Sequence, residues 1–237
     1  YREIDMVTTP DGYPVAMAHA NNCTSDLNAW VNIFKEFAEL FGIKADMGEL
    51  YGKLYNNSQS GDKDCGGLLA YGYYSGENVT MINEGRLAFL RTPDSKFNLA
   101  NFMKVNLYTS LGAVKLGLDI LLKDEGVKLD RIMGHGGFFK TKEVGQRYLS
   151  AAVGAPVTVM DTASEGGAWG IALLAAYLAD KKEDEKLEDY LDKRIFARLY
   201  GVSIEATKED IEGFDKFMER YVAGLEVEKA AIEAMKW

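Results

Sequence analysis

A glycine-rich segment stands at the end of a predicted strand. Residues 132–141 read Ile-Met-Gly-His-Gly-Gly-Phe-Phe-Lys-Thr, an apolar run that ends in glycines and leads into a predicted helix. Glycine lets a ligand approach the main chain closely, and the first turn of a helix offers free amide donors to an anion. Open α/β sheets build nucleotide sites in this way at the carboxyl ends of their strands. On spacing alone a tight structural turn between strand and helix is the favoured explanation, and a phosphate or nucleotide site is the alternative.

Two familiar phosphate-binding patterns do not fit this segment. The dinucleotide pattern G-x-G-x-x-G/A would begin at Gly134 but meets Phe139 at its last position. A P-loop requires glycine before Lys-Ser/Thr, and Phe139 precedes Lys140 and Thr141. A Rossmann-type dehydrogenase is therefore the weakest of the candidate classes.

The second candidate is a predicted helix of small residues. It covers residues 165–179 and begins Glu-Gly-Gly-Ala-Trp-Gly, directly after Thr-Ala-Ser at 162–164. Small side chains let another backbone or a flat ligand come close. Packing of this helix against a sheet is the favoured explanation, and contact with a ligand is the alternative.

The third candidate is the polar segment 21–26, Asn-Asn-Cys-Thr-Ser-Asp, at the start of the first long predicted helix. Asp26 falls in the first turn, where a carboxylate complements the helix dipole. We expect Cys23 to be a small buried residue, because no neighbour in the sequence would activate its thiol as a nucleophile.

Metal ligands and catalytic bases are scarce. The two cysteines, Cys23 and Cys65, match no metal-ligand spacing, and the two histidines, His19 and His135, are far apart in the sequence. A lone histidine beside glycines is more often packed or hydrogen-bonded than catalytic, so both are interpreted as structural. The sequence therefore predicts no metal site and assigns no catalytic residue.

The elements that must position these segments follow an α/β pattern. Residues 3–8 and 13–20 form a predicted hairpin around Pro-Asp-Gly, and a strand–helix–strand–helix series later in the chain predicts a sheet with crossover connections. The other predicted elements are helices at 24–41 and 47–55, a loop at 56–66, strands at 68–74 and 81–90, a helix at 98–123, a strand at 131–137, a helix at 141–153, a strand at 156–161, and a C-terminal helix that begins with a capping box at 207–210.

Composition narrows the class of protein. The 237 residues suit one large domain or two small ones, and 47% hydrophobic with 27% charged residues is ordinary for a globular protein. A net charge of −9 disfavours binding to nucleic acid or to anionic membranes. No apolar run reaches transmembrane length and no leader pattern opens the chain, so we expect a reduced, cytoplasmic setting.

These segments, in this order, resemble the second half of a carbohydrate kinase of the FGGY family, within the actin-like ATPase superfamily. In that family a strand ending in Gly-Gly meets the adenosine part of ATP, and a helix, a strand and a helix of the type E-x-x-A-x-G-A-A follow. The matching positions here are Gly136-Gly137, 156–161 and 165–172, and residues 26–30 are similar to the Asp-x-x-Ala-Trp helix of ribulokinase-like members. Residues 86–108 roughly follow the family's second sequence pattern. The resemblance covers most of residues 1–180.

The resemblance implies an α/β, actin-like (ribonuclease H-like) domain with a mixed sheet flanked by helices on both faces. It implies that residues 1–237 are the C-terminal nucleotide-binding domain of a two-domain sugar kinase. The site residues it implies are Gly136 and Gly137 against the adenosine and the α-phosphate, Phe138 and Lys140 at the border, and Ser25, Asp26 and Ala29 on the far wall.

The function implied by the resemblance is ATP-dependent phosphorylation of a sugar, a pentulose such as ribulose or xylulose, with Mg²⁺ accompanying ATP. The family's D-x-G-T phosphate loop, sugar pocket and catalytic aspartate belong to an N-terminal domain, and no predicted strand here ends in D-x-G-T. We therefore expect the protein's own N-terminal domain as a partner and an inactive isolated chain. A homodimer stays open, and the rival function is a non-catalytic actin-like domain for ligand binding or scaffolding.

Overall fold

The chain folds into the alternating helices and strands that its sequence pattern predicts. The structure, a computed structural model, describes residues 1–161 and 166–236; the predicted Glu165 helix start and the three residues before it lie outside the described residues. The strands are β1 (Ile4–Thr8), β2 (Pro14–Ala18), β3 (Leu69–Gly72), β4 (Leu87–Leu90), β5 (Ile132–Gly134), β6 (Val157–Met160) and β7 (Gly201–Ile204). The helices are α1 (Ser25–Leu40), α2 (Met47–Ser58), α3 (Leu99–Asp119), α4 (Val144–Val153), α5 (Gly166–Asp180), α6 (Leu187–Tyr190) and α7 (Lys208–Ala234).

The predicted N-terminal hairpin is present. Strands β1 and β2 pair antiparallel, and the main-chain N–H of Thr9 donates to the Tyr13 carbonyl over 2.8 Å. Gly12 closes the turn with φ of 93°, a conformation that favours glycine.

Three strands form the mixed sheet. β5 and β6 are parallel, and β7 joins the other edge of β6 in the antiparallel direction. Helix α4 covers one face, where buried Gln146 donates to the carbonyls of Val157 and Val202 over 3.0 and 2.7 Å. On the other face Trp169 of α5 lines a cavity together with Met133. The sheet therefore has helices on both faces, as predicted.

Helix α3 runs through the core. It is buried around almost its whole circumference, and α1, α2, α4 and α7 all contact it. With its π-helical extension to Asp124, it is long and apolar enough to span a bilayer by length and composition, but 61% of the apolar window is buried inside the protein. Its apolar character therefore serves packing between layers, as the sequence pattern indicates.

Helix α7 closes the core from the C-terminal side. The predicted capping box is confirmed: the Thr207 hydroxyl accepts from the Asp210 N–H, and the Asp210 carboxylate accepts from the Thr207 N–H. One face behind the cap carries Phe214, Phe217 and Tyr221, which are fully buried.

Several predicted boundaries are wrong. The predicted strand 81–90 is confined to β4, because Met81 has a left-handed backbone with φ of 55° and Ile82 forms an isolated bridge with Glu77. Helix α2 continues to Ser58, three residues past its predicted end. Strand β7 has no counterpart among the predicted elements. Cys23, expected to be buried, is exposed because it lies in the segment just before α1.

Candidate functional site

A cavity of about 600 Å³ opens where the turn between β5 and α4 faces the helices α1 and α2. The residues that line it are Thr24 and Asn28 at the start of α1, Gly48, Tyr51, Gly52 and Tyr55 along α2, and Gly137, Lys140 and Thr141 in the turn. The candidate segment 132–141 and the start of α1, where the candidate segment 21–26 lies, therefore meet at one cavity although about a hundred residues separate them.

The turn before α4 leaves open space beside two glycines. Strand β5 ends at Gly134, and a 3-10 turn follows in which Phe139 and Lys140 donate to the carbonyls of Gly136 and Gly137, each over 3.1 Å. A Cβ placed on Gly136 or Gly137 would meet no atom within 4 Å. A ligand can therefore approach this main chain as closely as the sequence predicts.

Helix α2 contributes one face to the cavity. Gly48, Tyr51, Gly52 and Tyr55 follow the spacing of residues on one side of a helix. The rings of Tyr51 and Tyr55 meet edge to face, with centroids 5.9 Å apart, and a Cβ on Gly52 would meet no atom within 4 Å. This face thus combines aromatic surface with free space.

A hydrogen bond joins α2 to α1 at the edge of the cavity. The Tyr51 hydroxyl donates to Oδ1 of Asn28 over 2.9 Å. Burial raises the pKa of Tyr51, so its hydroxyl stays protonated and able to donate at neutral pH.

Buried polar contacts connect α2 with α4, the helix that follows the glycine turn. The hydroxyls of Ser58 in α2 and Tyr148 in α4 lie 2.7 Å apart. The Lys104 ammonium, from the central helix α3, donates to the Gly61 carbonyl over 2.7 Å and lies 5.8 Å from the centre of the Tyr148 ring. Burial lowers the pKa of Lys104, since desolvation disfavours its charged form. The cavity therefore rests on the packed interior and not on loops alone.

The predicted residues of the glycine segment lie at or beside the cavity. Gly137 and Lys140 line it, and Gly136 begins the same turn. Phe138 is turned inward: it packs against the core, next to Gly145 of α4.

The predicted residues of α1 occupy another face of that helix. Ser25, Asp26 and Ala29 do not line the cavity, which Thr24 and Asn28 reach instead. Asp26 accepts a hydrogen bond from Nε1 of Trp30 over 3.0 Å and lies against Gly72 of β3. Burial raises the pKa of the Asp26 carboxyl, partly offset by the Trp30 hydrogen bond.

The contribution of α2 was missed by sequence reasoning. The signal was available, because Gly-x-x-Tyr-Gly-x-x-Tyr at 48–55 places two glycines and two tyrosines on one helix face. Such a pattern resembles ordinary packing until the position of the helix is known, so the sequence alone did not single it out.

The small-residue helix and His135 lie at other cavities. His135 is exposed at the end of β5, and a Cβ on Gly166 of α5 would meet its Nδ1 at 2.8 Å. Within residues 1–161 and 166–236, no group of three His, Cys, Asp or Glu side chains could hold a metal ion.

A sequence comparison identifies the family. The family model for the C-terminal domain of the FGGY family of carbohydrate kinases matches residues 1–179. The chain belongs to the FGGY family. A comparison with curated protein sequences finds no significant match.

Solved sugar kinases share the fold of this FGGY chain. Xylulose kinase from Rhodospirillum rubrum has a TM-score of 0.67 and 16% identity, over 95% of this chain and 42% of that chain. Gluconate kinase from Lactobacillus acidophilus has a TM-score of 0.64 and 14% identity, over 97% and 42%. Plasmodium falciparum glycerol kinase, solved with ADP, has a TM-score of 0.50 and 15% identity, over 71% and 33%. The predicted actin-like α/β fold is confirmed, and the chain spans less than half the length of each of these kinases.

Proposed function

We propose that the cavity between the β5–α4 turn and helices α1 and α2 binds ATP, and that this chain is the nucleotide-binding, C-terminal part of an ATP-dependent sugar kinase. One observation carries the proposal: Gly137 and Lys140 line the same cavity as the start of α1. A glycine turn after a strand, followed by a helix, suits a nucleotide because free amides and close backbone approach favour phosphate.

In this proposal the turn faces the phosphates. Gly136 and Gly137 lie beside the adenosine and α-phosphate, and the Lys140 ammonium supplies a cation at the cavity wall. The described residues hold no cluster of three metal-ligating side chains, so Mg²⁺ would be carried by the phosphates and by groups from outside this chain. Phosphoryl transfer also needs a base for the sugar hydroxyl and donors for the γ-phosphate. We propose that the protein's own N-terminal domain supplies them and that this chain alone does not turn over.

For the phosphoryl acceptor we propose a pentulose, ribulose or xylulose. The likeness of residues 26–30 to ribulokinase-like members supports it, and so does the presence of xylulose kinases among the similar structures. The test is ADP formation by the full-length protein with ribulose, xylulose, gluconate and glycerol in parallel. A higher kcat/KM for gluconate or glycerol than for either pentulose would overturn the acceptor while leaving the kinase proposal intact.

The nucleotide proposal is tested by titrating Mg·ADP into the isotope-labelled chain and following its backbone amides by NMR, which detects millimolar binding. We expect shifts at Gly137 and Lys140 and at Asn28 across the cavity. Lys140→Ala should weaken ADP binding roughly fivefold, the scale of one charge-assisted contact. Lys142→Ala is the matched control, because Lys142 is exposed nearby and does not line the cavity.

Two results would contradict the nucleotide proposal. The first is the absence of shifts at the cavity up to 10 mM Mg·ADP, the result that a scaffolding domain without a nucleotide site predicts. The second is equal loss of affinity in Lys140→Ala and Lys142→Ala, which would indicate diffuse attraction between charges and not a defined site.

A further inference from the structure

The cavity has two chemically different ends. The turn before α4 presents a main chain with open space and the cation of Lys140, whereas α2 presents the rings of Tyr51 and Tyr55. A nucleotide has the same asymmetry, with an anionic phosphate end and a planar aromatic base. If the α-phosphate and the ribose side of the adenosine lie against the turn at Gly136 and Gly137, the base extends toward α2.

Tyr51 has the surroundings of a stacking side chain. The Tyr55 ring, one turn along the same helix, packs against it at an interplanar angle of 82°. Gly52, the next residue, adds no side chain to the cavity, and a Cβ there would meet nothing within 4 Å. The ring of Tyr51 is thus fixed while the space beside it stays free for a planar group, the arrangement that favours stacking of a base on an aromatic side chain.

Asn28 is oriented by the same tyrosine. Its Oδ1 accepts a hydrogen bond from the Tyr51 hydroxyl. This bond turns the oxygen end of the carboxamide toward helix α2. Asn28 is exposed and lines the cavity, and its Nδ2 donates to no protein atom in the described parts of the chain. A fixed amide donor at the edge of a stacking platform matches the acceptor nitrogens of a purine ring.

We propose that Tyr51 and Asn28 recognise the base: the Tyr51 ring stacks on the purine, and Asn28, held by the Tyr51 hydroxyl, donates from Nδ2 to a ring nitrogen. This inference rests on the proposed function, since it assigns the base end of the same nucleotide cavity. It assigns two residues that determine specificity for the base and take no part in phosphoryl transfer.

The test distinguishes the contribution of the Tyr51 ring from that of its hydroxyl, and binding of the base from binding of the phosphates. The probes are Mg·ADP and Mg·pyrophosphate, which share phosphate chemistry but not the base, and the readout is the NMR-derived Kd for the whole chain. Tyr51→Leu should raise the Kd for ADP about tenfold, because base–aromatic stacking contributes on that scale. Tyr51→Trp should retain most of the ADP affinity. Tyr51→Phe should raise the Kd for ADP about threefold, the scale of one neutral hydrogen bond.

Pyrophosphate is the internal control. The Kd for pyrophosphate should not change in any Tyr51 variant. Asn28→Asp should weaken ADP binding more than pyrophosphate binding, because a carboxylate cannot donate a hydrogen bond to the base. Tyr74→Phe, at an exposed tyrosine outside the cavity, is the matched control and should change neither ligand.

The outcomes distinguish the two proposals. If the wild-type chain binds neither probe at Gly137 and Lys140, the nucleotide proposal fails and this inference fails with it. If ADP binds at Gly137 and Lys140 but Tyr51→Leu leaves the Kd for ADP unchanged, the base assignment alone is wrong. The same holds if Tyr51→Leu weakens the binding of ADP and of pyrophosphate equally.

Discussion

The hydroxyls of Ser58 and Tyr148 lie 2.7 Å apart in the protein interior and join the end of α2 to the middle of α4. Ser58 also donates to the Tyr55 carbonyl over 2.5 Å, so the Tyr148 hydroxyl is the donor to Ser58. Helix α2 lines the cavity, and α4 follows directly after the glycine turn that lines its other side, so the bond connects the supports of both from behind the site.

Removing this hydrogen bond should destabilise the fold more when Ser58 is changed than when Tyr148 is changed. Ser58→Ala leaves the buried Tyr148 hydroxyl without a partner and should lower the free energy of unfolding by about 1–3 kcal/mol. Tyr148→Phe leaves Ser58 bonded to Tyr55 and should cost only about 0.5–1.5 kcal/mol. Urea unfolding measures both values, and the exposed Tyr74→Phe should change neither the midpoint nor the slope. A larger loss for Tyr148→Phe than for Ser58→Ala would contradict this hydrogen-bond direction.

Gly136 and Gly137 should respond differently to alanine. Both have open space at the Cβ position, but Gly136 has φ of 102° and ψ of 178°, a region almost closed to other residues. Gly136→Ala should therefore lower stability by about 1–3 kcal/mol. Gly137→Ala should leave the thermal midpoint unchanged and weaken ADP binding, because its methyl group stands in the cavity. The prediction fails if the two variants lose the same stability.

Gly52 provides a test in which stability and binding move in opposite directions. Gly52→Ala meets no protein atom and should stabilise α2 by about 0.5–1 kcal/mol, since alanine is the better helix former. The same methyl group should weaken ADP binding. Gly170→Ala, also in a helix and also without a neighbour within 4 Å, should stabilise α5 without affecting ADP. Thermal unfolding and the NMR titration give both quantities; unchanged ADP affinity in Gly52→Ala would place the ligand elsewhere.

Glu228 should make stability depend on pH. Its carboxyl is fully buried, accepts one hydrogen bond from the Arg86 N–H over 2.6 Å, and has a second oxygen without a partner in the described chain. Burial raises its pKa in the folded state, although the neighbouring Arg86 opposes the shift. The folded state therefore holds the proton more tightly than the unfolded chain. This stabilising contribution is complete below the unfolded pKa of about 4.3 and is lost as pH rises through the raised value.

Glu228→Gln should remove that dependence. The variant should match the wild type near pH 4 and exceed it in free energy of unfolding at pH 8, measured by urea denaturation across the range. Glu226→Gln is the control, because Glu226 is exposed and its carboxylate pairs with Lys229 at the surface. Greater stability of the wild type at pH 8 would show that Glu228 is charged and well compensated in the fold.

Periodicity made the long elements predictable. Leu27 and Val31 recur at helical spacing and are buried in α1, and the box formed by Thr207 and Asp210 begins α7 as expected. Strand β7 was not predictable in the same way. Its four residues are mostly exposed, and they become a strand through pairing with β6, more than forty residues earlier in the chain.

The candidate site also has one part that the sequence pattern predicts and one part that it does not. The segment around Gly136 was recognisable as a candidate because glycines between a strand and a helix allow a ligand to approach the main chain, and it lines the cavity through Gly137. The face that α1 presents was not recognisable. The burial of Leu27 and Val31 sets the rotation of that helix, so Asn28 reaches the cavity while Asp26 turns toward Trp30.

Local spacing of apolar residues, caps and glycines was enough to predict the α/β class of fold and to mark the glycine segment and the start of α1 as candidates. The family was suggested by the order of several motifs along the chain, and the family model confirms it. The side chains that share the cavity are set by how the helices pack in three dimensions. Tyr51 and Asn28 lie 23 positions apart, and their hydrogen bond exists because α1 and α2 pack against the buried helix α3 at one particular rotation. That rotation is set by burial of apolar surface across the whole core, which no local pattern encodes.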